Sequence, residues 1–225
     1  LLSCERGKYR MLSRLLVYPS NIKDKKEVIE DRFTDVLSKL KDMGLLLRED
    51  ITEHAILRKL CANRVFPEQR FRFFVEWNPQ ELGRESCVGW LPLHVSANYT
   101  CLRGFRITFA AGLQYFPRKN GILFLFQTNY RYRNSPLQLA YHRETPLQLA
   151  CERYGREKAL TVIESVLADS KSGSTSYSTI QVFLSAAVDK NTHLDCVYFV
   201  LRREPDVLAK LLSLPEPTAL LTKDC

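Results

Sequence analysis

Few residues in this chain have the type and spacing that catalysis or metal binding needs. There is no glycine-rich phosphate loop, no His-Glu-x-x-His and no Gly-x-Ser-x-Gly. Seven cysteines form no Cys-x-x-Cys pair and the four histidines are scattered, so no zinc set is expected. Cys61 and Cys151 sit where a packed helix wants a small buried side chain, which reads as reduced core cysteine in an intracellular protein, cytoplasmic or nuclear. His94 is the most tempting catalytic group, yet no serine or acid stands at a spacing that suggests a triad. The expectation is no enzyme, no cofactor and no metal.

What does stand out is positional. In Gly89-Trp90-Leu91-Pro92-Leu93-His94-Val95-Ser96-Ala97-Asn98 a glycine closes a turn and a proline opens a helix, where its fixed φ fits and its missing N–H costs nothing. Thr145-Pro146-Leu147-Gln148-Leu149-Ala150-Cys151 repeats the pattern, with Thr145 as N-cap and Gln148 completing a capping box. Weaker copies end at Ala62 and Ala187, and the successive separations from Ala62 to Ala97, Cys151 and Ala187 are 35, 54 and 36 residues. Each copy is followed by a second apolar stretch. Pro67 to Trp77 ends at Asn78-Pro79, the next at Tyr115-Phe116-Pro117, then Lys158 to Leu167, and the last, around Val197 to Leu201, is interrupted at Glu204-Pro205.

This unit resembles the Gly-x-Thr-Pro-Leu-His-x-Ala-Ala core of the ankyrin repeat, whose period is about 33 residues. The resemblance covers roughly residues 51–213 and is most specific at Gly89–Asn98 and Thr145–Gly155. Leu91 replaces the capping threonine, Ser96 an alanine and Gln148 the histidine, departures that should weaken local capping and loop bonds. The resemblance implies an all-α solenoid of about four helix pairs with an N-terminal helical cap and a long irregular insertion. It implies a non-enzymatic protein–protein interaction module, a scaffold or adaptor, that binds another protein on its concave face. Carried over by position, that face comprises Asn63 and Arg64 in the first repeat and Val88, Trp90, Asn98 and Tyr99 in the second. Glu144, Glu152 and Arg153 follow in the third, and Asp189 and Lys190 in the fourth. His94 and His193 are implied to hold backbone and turns rather than to catalyse.

The remaining elements frame this array. Residues 1–50 read as a basic leader followed by an amphipathic capping helix, 51–214 as the repeat array and 215–225 as a tail. In the capping helix Ile29, Phe33, Val36, Leu37 and Leu40 form one apolar face, with Glu27, Glu30, Asp31 and Lys39 off it. Asp50-Ile51-Thr52-Glu53 reads as the capping box of the first repeat. Residues 118–144 are irregular. Gly121–Phe126 suits either a buried strand or a helix end, and Ser135–Ala140 nearly duplicates the stretch beginning at Thr145. Asp169–Thr179 reads as a Ser/Gly-rich loop. No run of eighteen apolar residues is present, so no membrane span is expected. The formal net charge is +8, concentrated early at Arg6, Lys8, Arg10, Arg14, Lys23, Lys25 and Lys26. The alternative function is therefore a nucleic-acid-associated protein using this leader and the Tyr-Arg stretch within 129–134.

Overall fold

The computed structural model describes residues 26–116, 120–129 and 144–171, and among them every regular element is a helix. Helix α1 spans Lys26–Asp42, α2 Arg48–Glu53, α3 Ile56–Cys61, α4 Glu68–Trp77, α5 Pro92–Tyr99, α6 Leu102–Tyr115, α7 Asn120–Leu123, α8 Pro146–Tyr154 and α9 Arg156–Lys171. A 3-10 turn, Pro79–Gly83, follows α4. The expected fourth repeat at 182–201 with Asp189 and Lys190, the leader up to residue 25, the duplicate Ser135–Ala140 and the tail lie outside the described residues. None of the described helices is long and apolar enough to cross a membrane.

Helices adjacent in sequence pack as pairs, α3 on α4, α5 on α6 and α8 on α9. The pairs are laid side by side, so that α3, α5 and α8 form a first row and α1, α4, α6 and α9 a second. One contiguous core runs between the rows, from Leu57 and Leu60 through Phe74, Phe105 and Phe109 to Leu149 and Ile163. A helix exposes backbone N–H groups at its start and C=O groups at its end, and the boundaries fall where the sequence can meet that demand. Pro92 and Pro146 occupy the first positions of α5 and α8. Helix α4 stops at Trp77 just before Asn78-Pro79, and α6 at Tyr115.

Three helix starts share one device, in which the third residue of the helix reaches back to the N–H of the cap residue. The Leu47 N–H donates to Asp50 Oδ2 at 2.6 Å, the Leu91 N–H to His94 Nδ1 at 3.1 Å and the Thr145 N–H to Gln148 Oε1 at 2.9 Å. Only Thr145 also supplies the forward half, accepting from the Gln148 N–H at 3.2 Å, because a leucine side chain has no acceptor. This corrects the reading of Asp50 as the N-cap of the first repeat. Asp50 is the third residue of a short separate helix, and the first-row helix begins later, at Ile56, after Ala55 in the left-handed region at φ 50°.

Helix α1 lies on α4 with Ile29, Phe33, Leu37 and Leu40 of the expected face turned inward, but that face differs from the expected one at two positions. Leu37 is buried, whereas Val36 is 43% exposed. Glu30, expected at the surface, is 4% exposed. The reason is Arg70 of α4, which is fully buried and draws the carboxylate inward. Arg70 Nη2 lies 2.7 Å from Glu30 Oε1, Nε donates to the same oxygen at 2.9 Å, and the guanidinium sits 4.5 Å from the centre of the Phe33 ring. Rotating the stripe to admit Glu30 carries Val36 out to solvent.

Gly121–Phe126 resolves as a helix end followed by a turn. Helix α7 sits so close to α6 that a Cβ on Gly121 would lie 2.6 Å from the Gly112 carbonyl oxygen. Phe124 then packs edge-on against Phe116 at 5.1 Å between ring centres. Asp169, expected to open a loop, belongs to α9, which runs on to Lys171, and Arg106 of α6 donates to its carboxylate at 3.2 Å. Between the rows, Cys61 of α3 lies 3.7 Å from Thr108 Oγ1 of α6, and burial pushes its thiol pKa up to about 12.

Removing one member of a buried ion pair leaves the other uncompensated, at a cost of about 3–5 kcal/mol. Glu30→Ala should therefore lower the urea midpoint strongly. Glu30→Ala combined with Arg70→Met should recover much of the loss, since no charge is then stranded. Equal midpoints for wild type and Glu30→Ala would show that α1 is held by its apolar contacts alone.

Candidate functional site

The turn before α5 is built by Ser86. Its hydroxyl oxygen accepts from the Trp90 N–H at 3.0 Å and the Val88 N–H at 3.3 Å, while its own N–H donates to the Trp90 carbonyl at 3.0 Å. Gly89 takes φ 74°, a conformation that favours glycine. The loop is tethered on two sides. Arg58 of α3 donates to the Arg84 carbonyl at 2.9 Å, and the Gln127 amide donates to the Glu85 carboxylate. Burial lowers the Arg58 pKa, against the pull of Glu81. A loop fixed in this way can present its side chains at little further entropic cost on binding.

What it presents is an aromatic shelf. The Trp90 ring lies 5.9 Å from Tyr99, tilted by 41°, and 6.1 Å from His94. Tyr99 is 49% exposed, Trp90 is half-buried against the core and His94 is fully buried beneath them. The first-row neighbour α8 is tied to this helix by Tyr154, whose hydroxyl lies 2.9 Å from the Thr100 carbonyl and 3.2 Å from that of Ser96. Burial raises the Tyr154 pKa despite the nearby Arg153.

His94 is buried and holds the start of α5. Nδ1 accepts from the Leu91 N–H, so the neutral ring carries its proton on Nε2. Burial lowers its pKa to about 4, and the backbone of Gln127 and Glu144 beside the ring works the other way, favouring the proton. No donor–acceptor geometry with a nucleophile or acid is present around it among the described residues.

The carried-over surface residues divide. The structure brings Trp90 and Tyr99 into ring contact and sets half-buried Val88 on the braced loop. Asn98 is half-buried on the same helix as Tyr99, while Arg64, Glu152 and Arg153 are exposed. Asn63 is spent on capping, its amide donating to the Lys59 carbonyl at 2.9 Å and the Leu60 carbonyl at 3.2 Å at the end of α3. The Glu144 backbone is likewise engaged, its N–H donating to Asn129 Oδ1 at 3.2 Å and its carbonyl accepting from the Asn129 N–H at 3.2 Å. Asp189 and Lys190 lie outside the described residues.

Sequence reasoning missed two features. Asp50, Glu53 and His54, at i, i+3 and i+4, place their ligand atoms within 4.8 Å of one another, though Asp50 already accepts from the Leu47 N–H. The second is a basic-rimmed groove between α4 and α6, with Arg72 on the first helix and Arg103 and Arg106 on the second. No family model, curated protein or solved structure matches this chain.

The pH dependence of His94 can be tested directly. The unfolded imidazole takes a proton near its ordinary 6.5 and the folded one only near 4. Between those values the unfolded state binds more protons, so the contribution to stability is complete above pH 6.5 and falls as pH drops toward 4, by roughly 3 kcal/mol in all. His94→Gln, which places at α5 the residue that makes the same bond in α8, should keep the fold and remove this component. The check is the difference in urea midpoint between about pH 7 and about pH 4.5, wild type against variant. Identical pH profiles would show that folding leaves the affinity of His94 for its proton unchanged.

Proposed function

We propose that the chain is a non-enzymatic protein-binding module of the ankyrin type, a scaffold or adaptor, and that a partner protein docks on the side carrying Trp90 and Tyr99, the concave face of the array. The observation that carries this reading is the shelf itself. A partly buried tryptophan on a loop held by hydrogen bonds stands in ring contact with a half-exposed tyrosine at the end of α5. Such a pair offers large apolar area, few rotatable bonds and a polar handle, the profile of interface anchors. Three successive helix pairs in two rows, two of them opened by the Pro-Leu-His or Pro-Leu-Gln turn, support the solenoid reading. Absence of the fourth pair from the described residues does not affect the shelf, which belongs to the second.

Tyr99 is the cleaner probe, because Trp90 also packs on the core. A photo-reactive phenylalanine analogue at position 99 of the full chain should crosslink a protein in nuclease-treated cell extract, and Tyr99→Ala should weaken binding of that protein more than tenfold, the equivalent of about 2 kcal/mol for an anchor residue. The thermal midpoint of Tyr99→Ala should stay at the wild-type value. A fallen midpoint, or capture that Tyr99→Ala leaves unchanged, would return the shelf to a packing role.

A further inference from the structure

Within the second row, α1 packs closely on α4 and α6 on α9, but α4 and α6 touch only sparingly. The space between them is a groove of about 390 Å³. A second hollow of about 300 Å³ continues it toward α1, and the two share Glu68, Arg72 and Arg103. The groove belongs to the second row, whereas the aromatic shelf belongs to the first row and its loop.

The floor is apolar and shallow. Val75 is buried, and Ile107, Ala110 and Ala111 are half-buried on α6. Two consecutive alanines offer only methyl groups, so the backbone of another helix could approach closely. Helix α6 has 14 residues, a track of roughly 20 Å at about 1.5 Å per residue, which matches a helical segment of similar length.

The rim is cationic. Arg72, Arg103 and Arg106 have side chains 59, 76 and 51% exposed. Arg72 and Arg103 share a single carboxylate, Glu68, at 2.9 and 2.7 Å. Burial pushes the Glu68 carboxyl up, but the two arginines outweigh it and hold its pKa below the ordinary value. Glu76 is the second acid of the groove, which leaves the lining net positive. Each guanidinium has five N–H donors in a planar fork suited to carboxylates, and Arg103 donates through one nitrogen to Glu68. The Arg106 contact is to Asp169, itself 67% exposed. Exposed ion pairs of that kind contribute little to stability, so exchanging one for a partner's carboxylate costs little.

We propose that the α4–α6 groove is a second docking site, and that it takes an acidic amphipathic helix of a partner protein. The helix lays an apolar stripe along Ile107, Ala110 and Ala111 and sets carboxylates against Arg72, Arg103 and Arg106. A nucleic-acid strand fits less well. Its phosphates suit the arginines, but of the two rings that line the groove Phe71 is buried and Tyr115 is half-buried, which leaves little ring face on which a base could stack.

The test is selection of random 16-residue peptides displayed on phage against the full chain, with depletion on an Arg72→Glu/Arg103→Glu variant. Recovered peptides should be acidic, with apolar residues recurring at i, i+3 and i+4. A synthetic copy should bind the wild type by fluorescence anisotropy and bind at least tenfold more weakly to Arg103→Glu and to Ala110→Trp, which fills the floor without changing charge. Should the double variant fail to fold, Arg106→Ala serves for depletion, and thermal midpoints verify every variant used. Peptides without acidic bias, peptides that survive depletion, or unchanged affinity for Ala110→Trp would overturn the proposal. An oligothymidylate that outcompetes the peptide and loses affinity in the same variants would replace it with a nucleic-acid site.

Discussion

Three of the helix starts depend on one bond, made each time with a different side chain. A helix cannot begin without leaving backbone N–H groups unmatched, and inside a packed array water is a poor substitute partner. At Leu47, Leu91 and Thr145 the cap N–H is taken by the third helical residue, an aspartate, a histidine and a glutamine in turn. The requirement is an acceptor at a fixed reach, not a particular residue. Where that acceptor is a carboxylate the bond is short; where it is an imidazole, the ring must stay neutral to serve. The direction in which α5 and α8 leave their loops follows from these bonds, and with it the packing of each first-row helix on the next.

Much of this was legible because the rules involved are local. A proline at the first helical turn, a threonine before it, and Asn-Pro after an apolar stretch each constrain a few neighbouring residues, so α4, α5 and α8 begin and end close to where the sequence puts them. Asp50 was misread for the same reason. Asp-Ile-Thr-Glu satisfies the capping pattern by itself, and nothing within four residues reveals that Leu47 is the cap. Glu30 was illegible for a different reason. Helical periodicity places it among the charged positions of α1, and its burial depends on Arg70, forty residues away and on another helix. The groove is less legible still, because it arises from the separation of α4 and α6, which no single segment sets. Asn63 shows the converse limit: its position suggested a surface contact, while its amide is occupied with the carbonyls that end α3.

The two rows distribute charge and aromatic character unequally. On the first row the exposed residues carried over by position are Arg64, Glu152 and Arg153, of both signs, and what distinguishes that side is the ring pair. On the second row the rim of arginines over methyl groups is the distinguishing feature. The two proposed sites thus lie on different rows, and partners at both would not compete for surface.

The burial of Cys61 has a consequence of its own. A thiol with its pKa near 12 presents a thiolate fraction of roughly one in 10⁵ at neutral pH, and no solvent reaches it. Cys87 and Cys101, by contrast, are exposed. Alkylating reagents would therefore modify those two well before Cys61, which would wait for α3 to come away from α6. Its labelling rate is a native clock for that separation, reporting how often the first helix pair breathes from the second without any probe having to be built in.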